Sequence, residues 1–222
     1  MTYCKYFKEK FPIFFVFFSQ ELIYILYLHF IQEIAMEEEI KKACEIVWKG
    51  GIILYPTDTI WGIGCDATNP DAVKKIYDLK KRSDSKSMLV LIDSTAKLDY
   101  YVDELPDIAL DLIELSEKPL TIIYSGAKNI ASNLIAEDGS LGIRVTNEEF
   151  SKKLCQRLKK PLVSTSANIS GMPAPANFSE ISSEIIDAVD YVVNYRQEDT
   201  GSAKPSGIIK LGKGGLVKVI RE

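Results

Sequence analysis

From residue 36 onward the apolar positions switch repeatedly between a helical spacing and an extended one. Ile40, Ala43, Cys44 and Val47 recur at i, i+3, i+4 and i+7, which predicts an amphipathic helix stopped by Gly50 and Gly51. Residues 52–55 form a continuous apolar run closed by Pro56, the pattern of a short buried strand. Asn69 followed by Pro70 supplies an N-cap with proline at the first helical position. Val73, Ile76 and Tyr77 then give that helix a buried face ending near Lys80. The next strand is predicted over 88–92. Helices are expected over 106–116, 128–136 and, after the cap-like Asn147, 148–159. Strands fit 120–124, 141–145, 162–164, 191–193, 207–211 and 216–220, with a hairpin-like pair near the C-terminus. This mixture predicts an α/β fold: a twisted mixed sheet with helices on its faces.

Residues 11–31 follow a different pattern. They are aromatic and aliphatic, preceded by Lys5, Lys8 and Lys10, and resemble a signal or anchor sequence. No small-residue cleavage site follows, and Gln20, Glu21, His29 and Gln32 interrupt the apolar character, which argues against a clean membrane span. Met36-Glu37-Glu38-Glu39-Ile40 reads as an ordinary acidic helix start. The expected organisation is therefore a hydrophobic extension over 1–35, as from a misplaced start or an anchor, and a single domain over 36–222. His29, the one histidine of the chain, belongs to the extension. The domain is thus expected to work without an imidazole base, which excludes Ser-His-Asp and Cys-His mechanisms there.

Composition narrows the function further. At 222 residues and 46% hydrophobic, the chain can bury one sizeable core. A net charge of −4 excludes general electrostatic attraction to nucleic acid, so any such contact must be local. Cys4, Cys44, Cys65 and Cys155 form no CxxC pair, which suggests neither a zinc site nor a disulfide framework and fits a reduced, cytoplasmic chain.

Two nucleotide motifs fail on context. Gly62-Ile63-Gly64-Cys65-Asp66-Ala67 matches G-x-G-x-x-A, but its glycines do not lead directly from a strand into a helix N-terminus, so they read as a turn. Gly207 to Lys213 matches G-x-x-x-x-G-K, yet Gly214 replaces the required hydroxyl and no helix follows; a strand ending in a glycine turn is expected. Other groups assemble better. Lys80, Arg82 and Lys86 bracket a polar loop entering a buried strand, where an arginine fork and flexible lysines suit a triphosphate. Ser164-Thr165-Ser166-Ala167-Asn168 concentrates donors just beyond an apolar strand, either as a capped turn or as a binding loop. Arg144 lies mid-strand between Ile143 and Val145, where its charge must meet a carboxylate or a ligand anion.

Taken in order, Pro56-Thr57-Asp58-Thr59-Ile60-Trp61-Gly62, Lys80-x-Arg82, Pro119-Leu120-Thr121, Gly142-Ile143-Arg144-Val145 and Ser166-Ala167-Asn168-Ile169-Ser170-Gly171 resemble the YrdC/TsaC family of threonylcarbamoyl-AMP synthases. The resemblance runs from about Gly51 to Arg221. It implies a YrdC-like twisted open mixed sheet with a basic concave cavity. The implied reaction makes threonylcarbamoyl-AMP and pyrophosphate from L-threonine, bicarbonate and ATP, with Mg²⁺. The product serves N6-threonylcarbamoyladenosine formation at position 37 of tRNA, through downstream threonylcarbamoyl transferase machinery. Double-stranded RNA binding through the basic cavity belongs to the same expectation.

The resemblance also assigns residues. Its catalytic tetrad falls on Lys80, Arg82, Ser166 and Asn168. Thr59, Arg144 and Ser206 match threonine contacts, and Arg82, Lys86, Ser140, Ser164 and Arg221 match nucleotide contacts. Three positions depart from the pattern: Leu91 stands where many members carry histidine, Ser87 replaces a proline, and Glu117-Lys118-Pro119 replaces Pro-Gly-Pro. Threonine specificity is what these departures touch. The short sequence after Arg221 implies that the extra C-terminal domain of longer members is absent. Two rivals stay open: a paralogue of the same fold with another acceptor, and a non-catalytic RNA-binding module using such faces as Lys152, Lys153, Arg157, Lys159 and Lys160.

Overall fold

A computed structural model describes residues 20–81, 88–201, 204–212 and 215–222. Its elements in chain order are α1 (Gln20–Trp48), β1 (Ile53–Tyr55), β2 (Gly62–Gly64), α2 (Pro70–Lys80), β3 (Leu89–Ile92), α3 (Leu98–Tyr101), α4 (Ile108–Glu114), β4 (Leu120–Tyr124), β5 (Leu141–Val145), α5 (Glu149–Leu158), β6 (Leu162–Ser166), α6 (Ser183–Ala188), β7 (Tyr191–Val192), β8 (Gly207–Leu211) and β9 (Val217–Arg221). The chain divides into two compact units, residues 1–39 and 40–222. In the first unit α1 reaches back to Gln20, so Met36 lies inside a helix instead of starting one. Residues 22–35 contain neither proline nor glycine, and nothing in them stops a helix. Among the described residues no helix is long and apolar enough to cross a membrane.

In the second unit the predicted caps operate. The Asn69 side chain accepts from the backbone N–H groups of Asp71 and Ala72, and Lys81 closes α2 in the left-handed conformation at φ 51°. Helix α5 is capped by Glu148 and not by Asn147: the Glu148 carboxylate accepts from the N–H groups of Phe150 and Ser151. A carboxylate at a helix N-terminus also meets the positive end of the helix dipole.

Among the described residues nine strands form one sheet, in the order β7-β1-β2-β6-β3-β5-β4-β8-β9. The pairs β1/β7, β3/β5 and β4/β8 are parallel, and the others antiparallel, so the sheet is mixed as the element pattern predicted. Gly62–Gly64, expected as a turn, is a strand held by β1 on one side and β6 on the other. The helix expected over 128–136 does not form. Asn129 turns left-handed at φ 56°, and only a single 3₁₀ turn, Ser132–Leu134, remains of the apolar spacing.

Alternation along the strands separates two sheet faces. One carries Leu54, Ile63, Val90, Ile92, Ile122, Ile143 and Val163, packed in the main core with Val73 and Ile76 of α2, Leu98 of α3, Ala109 of α4 and Ile185 of α6. The other carries Gly62, Leu89, Gly142, Arg144, Ser164 and Ser166. Helix α5 covers one end of this second face, where the Cys155 thiol reaches the Leu91 carbonyl at 3.7 Å and the Ser151 hydroxyl donates to the Pro56 carbonyl at 3.3 Å. Among the described residues, the remaining stretch of the polar face lines a cavity.

Candidate active site

The turn after β1 is fixed by its own side chains. The buried Thr57 hydroxyl donates to the Ile60 carbonyl at 2.8 Å, accepts from the Thr59 N–H at 3.0 Å, and sits 3.0 Å from the Thr59 hydroxyl. This leaves Asp58 at the apex, and its Oδ1 meets a terminal nitrogen of Arg144 at 2.8 Å. Burial pushes the Asp58 carboxyl above the usual carboxylate range, and the Arg144 guanidinium opposes that shift. Arg144 has the partner its mid-strand position demanded, although its Nε is buried without a hydrogen bond.

Beside this pair lies a cavity of about 250 Å³ whose walls include Thr59, Trp61, Gly62, Met88, Leu89, Arg144, Ser164, Ser166, Ser206 and Arg221. Six residues singled out in the sequence meet here: Thr59, Arg144, Ser164, Ser166, Ser206 and Arg221. They come from five stretches of chain, Ser164 and Ser166 together on β6, and strand register sets the sheet residues side by side, with Gly62 opposite Ser166 and Leu89 opposite Ser164. The glycines keep the floor low. A Cβ on Gly62 would stand 3.2 Å from Thr57 Cγ2 and 3.4 Å from the Ser164 hydroxyl, and one on Gly142 would stand 3.3 Å from Thr121 Cγ2.

Arg221 donates from Nε to the Ser206 carbonyl at 2.9 Å. Partial burial, and after it the charge of Arg144, lowers its pKa, so the two guanidiniums act on a common space. Two arginines and several serine hydroxyls around one cavity suit a ligand carrying carboxylate or phosphate oxygens.

Other expected residues are placed differently. Lys80 is buried and sits behind the cavity wall, donating from Nζ to the backbone carbonyls of Ser166 at 2.5 Å and Asn168 at 2.6 Å. Asn168 accepts from the Ser166 hydroxyl at 2.5 Å and donates to the Met172 carbonyl at 2.5 Å, within its own loop. Lys80, Ser166 and Asn168 thus form one connected unit. Ser140 does not line the cavity; its hydroxyl donates to Asp138 at 2.5 Å, and Asp138 also receives Lys210 at 2.6 Å. Leu91 is fully buried opposite Arg144 in the β3/β5 register. Arg82 and Lys86 lie outside the described residues, as does Ser87.

Sequence reasoning missed three contributors. Asp58 carried only a motif position, Thr57 shapes the turn that presents it, and Trp61 packs its ring 4.8 Å from that of Phe178 to close one wall. A buried mid-strand arginine signals that a carboxylate exists but not which one. A second hollow of about 350 Å³ shares Thr59 and Trp61 with the first and is bordered by Arg196, Asp199 and Asn177.

Comparison with known proteins follows the same ground. A family model described as Telomere recombination, covering Sua5, YciO and YrdC, matches residues 45–222. A protein named threonylcarbamoyl-AMP synthase from Pseudoalteromonas translucida is 33% identical over 175 residues, 78% of this chain and 92% of that one. A putative threonylcarbamoyl-AMP synthase from Methanocaldococcus jannaschii is 34% identical, over 82% of this chain and 87% of its own. Among solved structures, E. coli YciO superposes with a TM-score of 0.72 at 26% identity, covering 82% of this chain and 88% of that one. P. abyssi Sua5 complexed with L-threonine shares the fold at a TM-score of 0.69 and 24% identity, over 78% of this chain; the match spans 50% of the Sua5 chain.

Proposed function

The chain belongs to the Sua5/YciO/YrdC family, and from that premise we propose that it is a threonylcarbamoyl-AMP synthase, a nucleotidyltransferase acting on L-threonine, bicarbonate and ATP. The observation that carries this reading is the cavity that brings Arg144 and Arg221 to one space with Thr59, Ser164, Ser166 and Ser206. The chemistry belongs to the YrdC-like domain of residues 36–222, and residues 1–35 take no part in it.

Within that reading the threonine carboxylate pairs with Arg144, while the Thr59 and Ser206 hydroxyls hold the rest of the amino acid. The threonine amine adds to the carbon of CO₂ formed from bicarbonate and gives up a proton, leaving an anionic carbamate. A carbamate oxygen then bonds to the α-phosphorus of ATP as the bond to the β-phosphate oxygen breaks, and pyrophosphate leaves with that electron pair. The nucleophile is already charged, so no imidazole is needed. The work is positioning and stabilisation of phosphate charge. Arg221 and Ser164 face the nucleotide, and Arg82 and Lys86, which lie outside the described residues, are proposed to join them. Lys80 holds the Ser166 and Asn168 wall in place.

Magnesium would accompany the triphosphate. Among the described residues no group of three or more His, Cys, Asp or Glu side chains is placed to hold a metal. The product would pass to threonylcarbamoyl transfer onto tRNA in the cytoplasm, with an RNA contact through the basic cavity. The buried free thiols of Cys44, Cys65 and Cys155 are in keeping with a reducing compartment.

A second reading keeps the fold and changes the acceptor. One assay separates the two: pyrophosphate release from ATP with and without L-threonine and bicarbonate. Release that requires both is expected. Release with serine and not threonine moves the chain to the paralogue reading, and no release above background leaves neither synthase reading standing.

A further inference from the structure

Arg144 lines the cavity whereas Asp58 does not, yet the two are joined behind its wall at 2.8 Å. Both are withdrawn from solvent, with side chains 3% and 13% exposed. A guanidinium so deeply placed is costly without a counter-charge and, with five donors on a flexible stem, has several orientations open to it. Asp58 restricts that freedom through an ion pair with one terminal nitrogen, without a hydrogen bond of good geometry. Its own position is set by Thr57, whose hydroxyl bonds across the apex to Thr59 and Ile60, and by the Pro56 carbonyl, which Ser151 of α5 ties to the domain. Arg196 adds a brace from outside, reaching the Thr57 carbonyl at 3.4 Å and Glu148 at 3.3 Å.

We propose that Asp58 is a positioning residue for the amino-acid substrate: it holds Arg144 oriented so that the remaining donors face the cavity and take the substrate α-carboxylate. The inference rests on the synthase reading for the identity of that substrate. The part of the guanidinium that lines the cavity is what meets an incoming carboxylate, while Nε lies buried behind it. The opposite arrangement, in which Asp58 occupies the carboxylate site and must be displaced, would make Asp58 an inhibitor of binding. The two differ in sign.

The test is Asp58→Asn, which keeps shape and removes charge, compared with wild type in threonine-dependent pyrophosphate release and in calorimetric binding of L-threonine. The expected result is a rise of about tenfold or more in KM for threonine, with KM for ATP and kcat within about twofold. Asp58→Glu is expected to recover part of the loss. In an Arg144→Gln background Asp58→Asn should add less than about twofold, because the two act through one contact. A fall in KM for threonine, an equal rise in KM for ATP, or full additivity with Arg144→Gln overturns the proposal. Loss of folding in both Asp58 variants also overturns it, since the residue would then be structural. If wild type binds threonine but releases no pyrophosphate, the synthase reading fails and Asp58 is judged on the binding constants. If wild type binds no threonine, both fail.

Discussion

Lys80 donates through its ammonium to the backbone carbonyl of Asn168 at 2.6 Å, across the junction between the end of α2 and the loop that follows β6. The same nitrogen reaches the Ser166 carbonyl at 2.5 Å, and the Lys80 carbonyl accepts from the Ser170 N–H at 3.0 Å, so the loop is stitched to the helix end from both directions. Lys80→Met should therefore lose stability as well as activity. Leaving buried polar groups unpaired costs roughly 1–3 kcal/mol, and at about 2–4 °C per kcal/mol for a domain of this size the melting temperature should drop by several degrees. Arg82→Ala should lose pyrophosphate release with an unchanged melt. Thermal unfolding followed beside the activity assay reads both, and a Lys80→Met protein with wild-type stability would show that the stitch holds nothing.

Much of this arrangement could be read in the sequence because it is local. The cap formed by Asn69 needs only its next three residues, and strands β4, β5 and β8 announce themselves as apolar runs. What could not be read depends on distant chain. Gly62-Ile63-Gly64 has poor strand character of its own and becomes β2 because β1 and β6 pair with it on both edges. The apolar spacing of Ile130, Ala131 and Leu134 looks helical, but the Ala131 N–H is taken by the Ala67 carbonyl at 2.9 Å, an anchor that lies far along the chain. Asp58 was invisible for the same reason: its meaning lies in Arg144, which only the β3/β5 pairing and the turn after β1 bring to it.

The strand glycines divide sharply. A Cβ on Gly64 would come within 2.6 Å of the Val163 carbonyl oxygen and 2.7 Å of the Tyr55 ring, neither of which can move without disturbing the β2/β6 pairing. Gly64→Ala is expected to destabilise by about 1–3 kcal/mol, the range for overpacking a tight core. At Gly207 the nearest atom would be Leu120 Cδ1 at 3.7 Å, an ordinary contact. Gly207→Ala should stabilise by about 0.4–1 kcal/mol by restricting the unfolded chain. Chemical denaturation of the pair checks both signs.

Asp138 gives a pH signature. The hydrogen bond from Lys210, and after it that from Ser140, holds its carboxyl at about 2, below its ordinary value. A depressed carboxyl contributes stability that is present above its unfolded pKa of about 3.9 and is lost as pH falls through about 2. Asp138→Asn should thus melt below wild type at pH 5, with the gap closing between pH 4 and 2. Ser140→Ala should narrow the same titration while leaving KM for ATP unchanged, because its hydroxyl is engaged by Asp138 outside the cavity. A raised KM for ATP would return Ser140 to the nucleotide site.

Ser206 offers a finer test of the amino-acid site. Its hydroxyl lies in the cavity wall but is already partnered, 2.9 Å from the buried Thr121 hydroxyl on β4. One of the two oxygens donates to the other, so Thr121 decides whether the Ser206 proton or its lone pair is turned toward a ligand. Thr121→Val keeps the shape and removes that control. It should raise KM for threonine by a few-fold, about the value of one neutral hydrogen bond, while kcat and KM for ATP hold. Ser206→Ala should raise it at least as much, and the double variant no more than Ser206→Ala alone, since Thr121 has nothing left to orient. Steady-state kinetics of the three variants decide it: an additive double variant would mean that Thr121 contributes to threonine binding by another route.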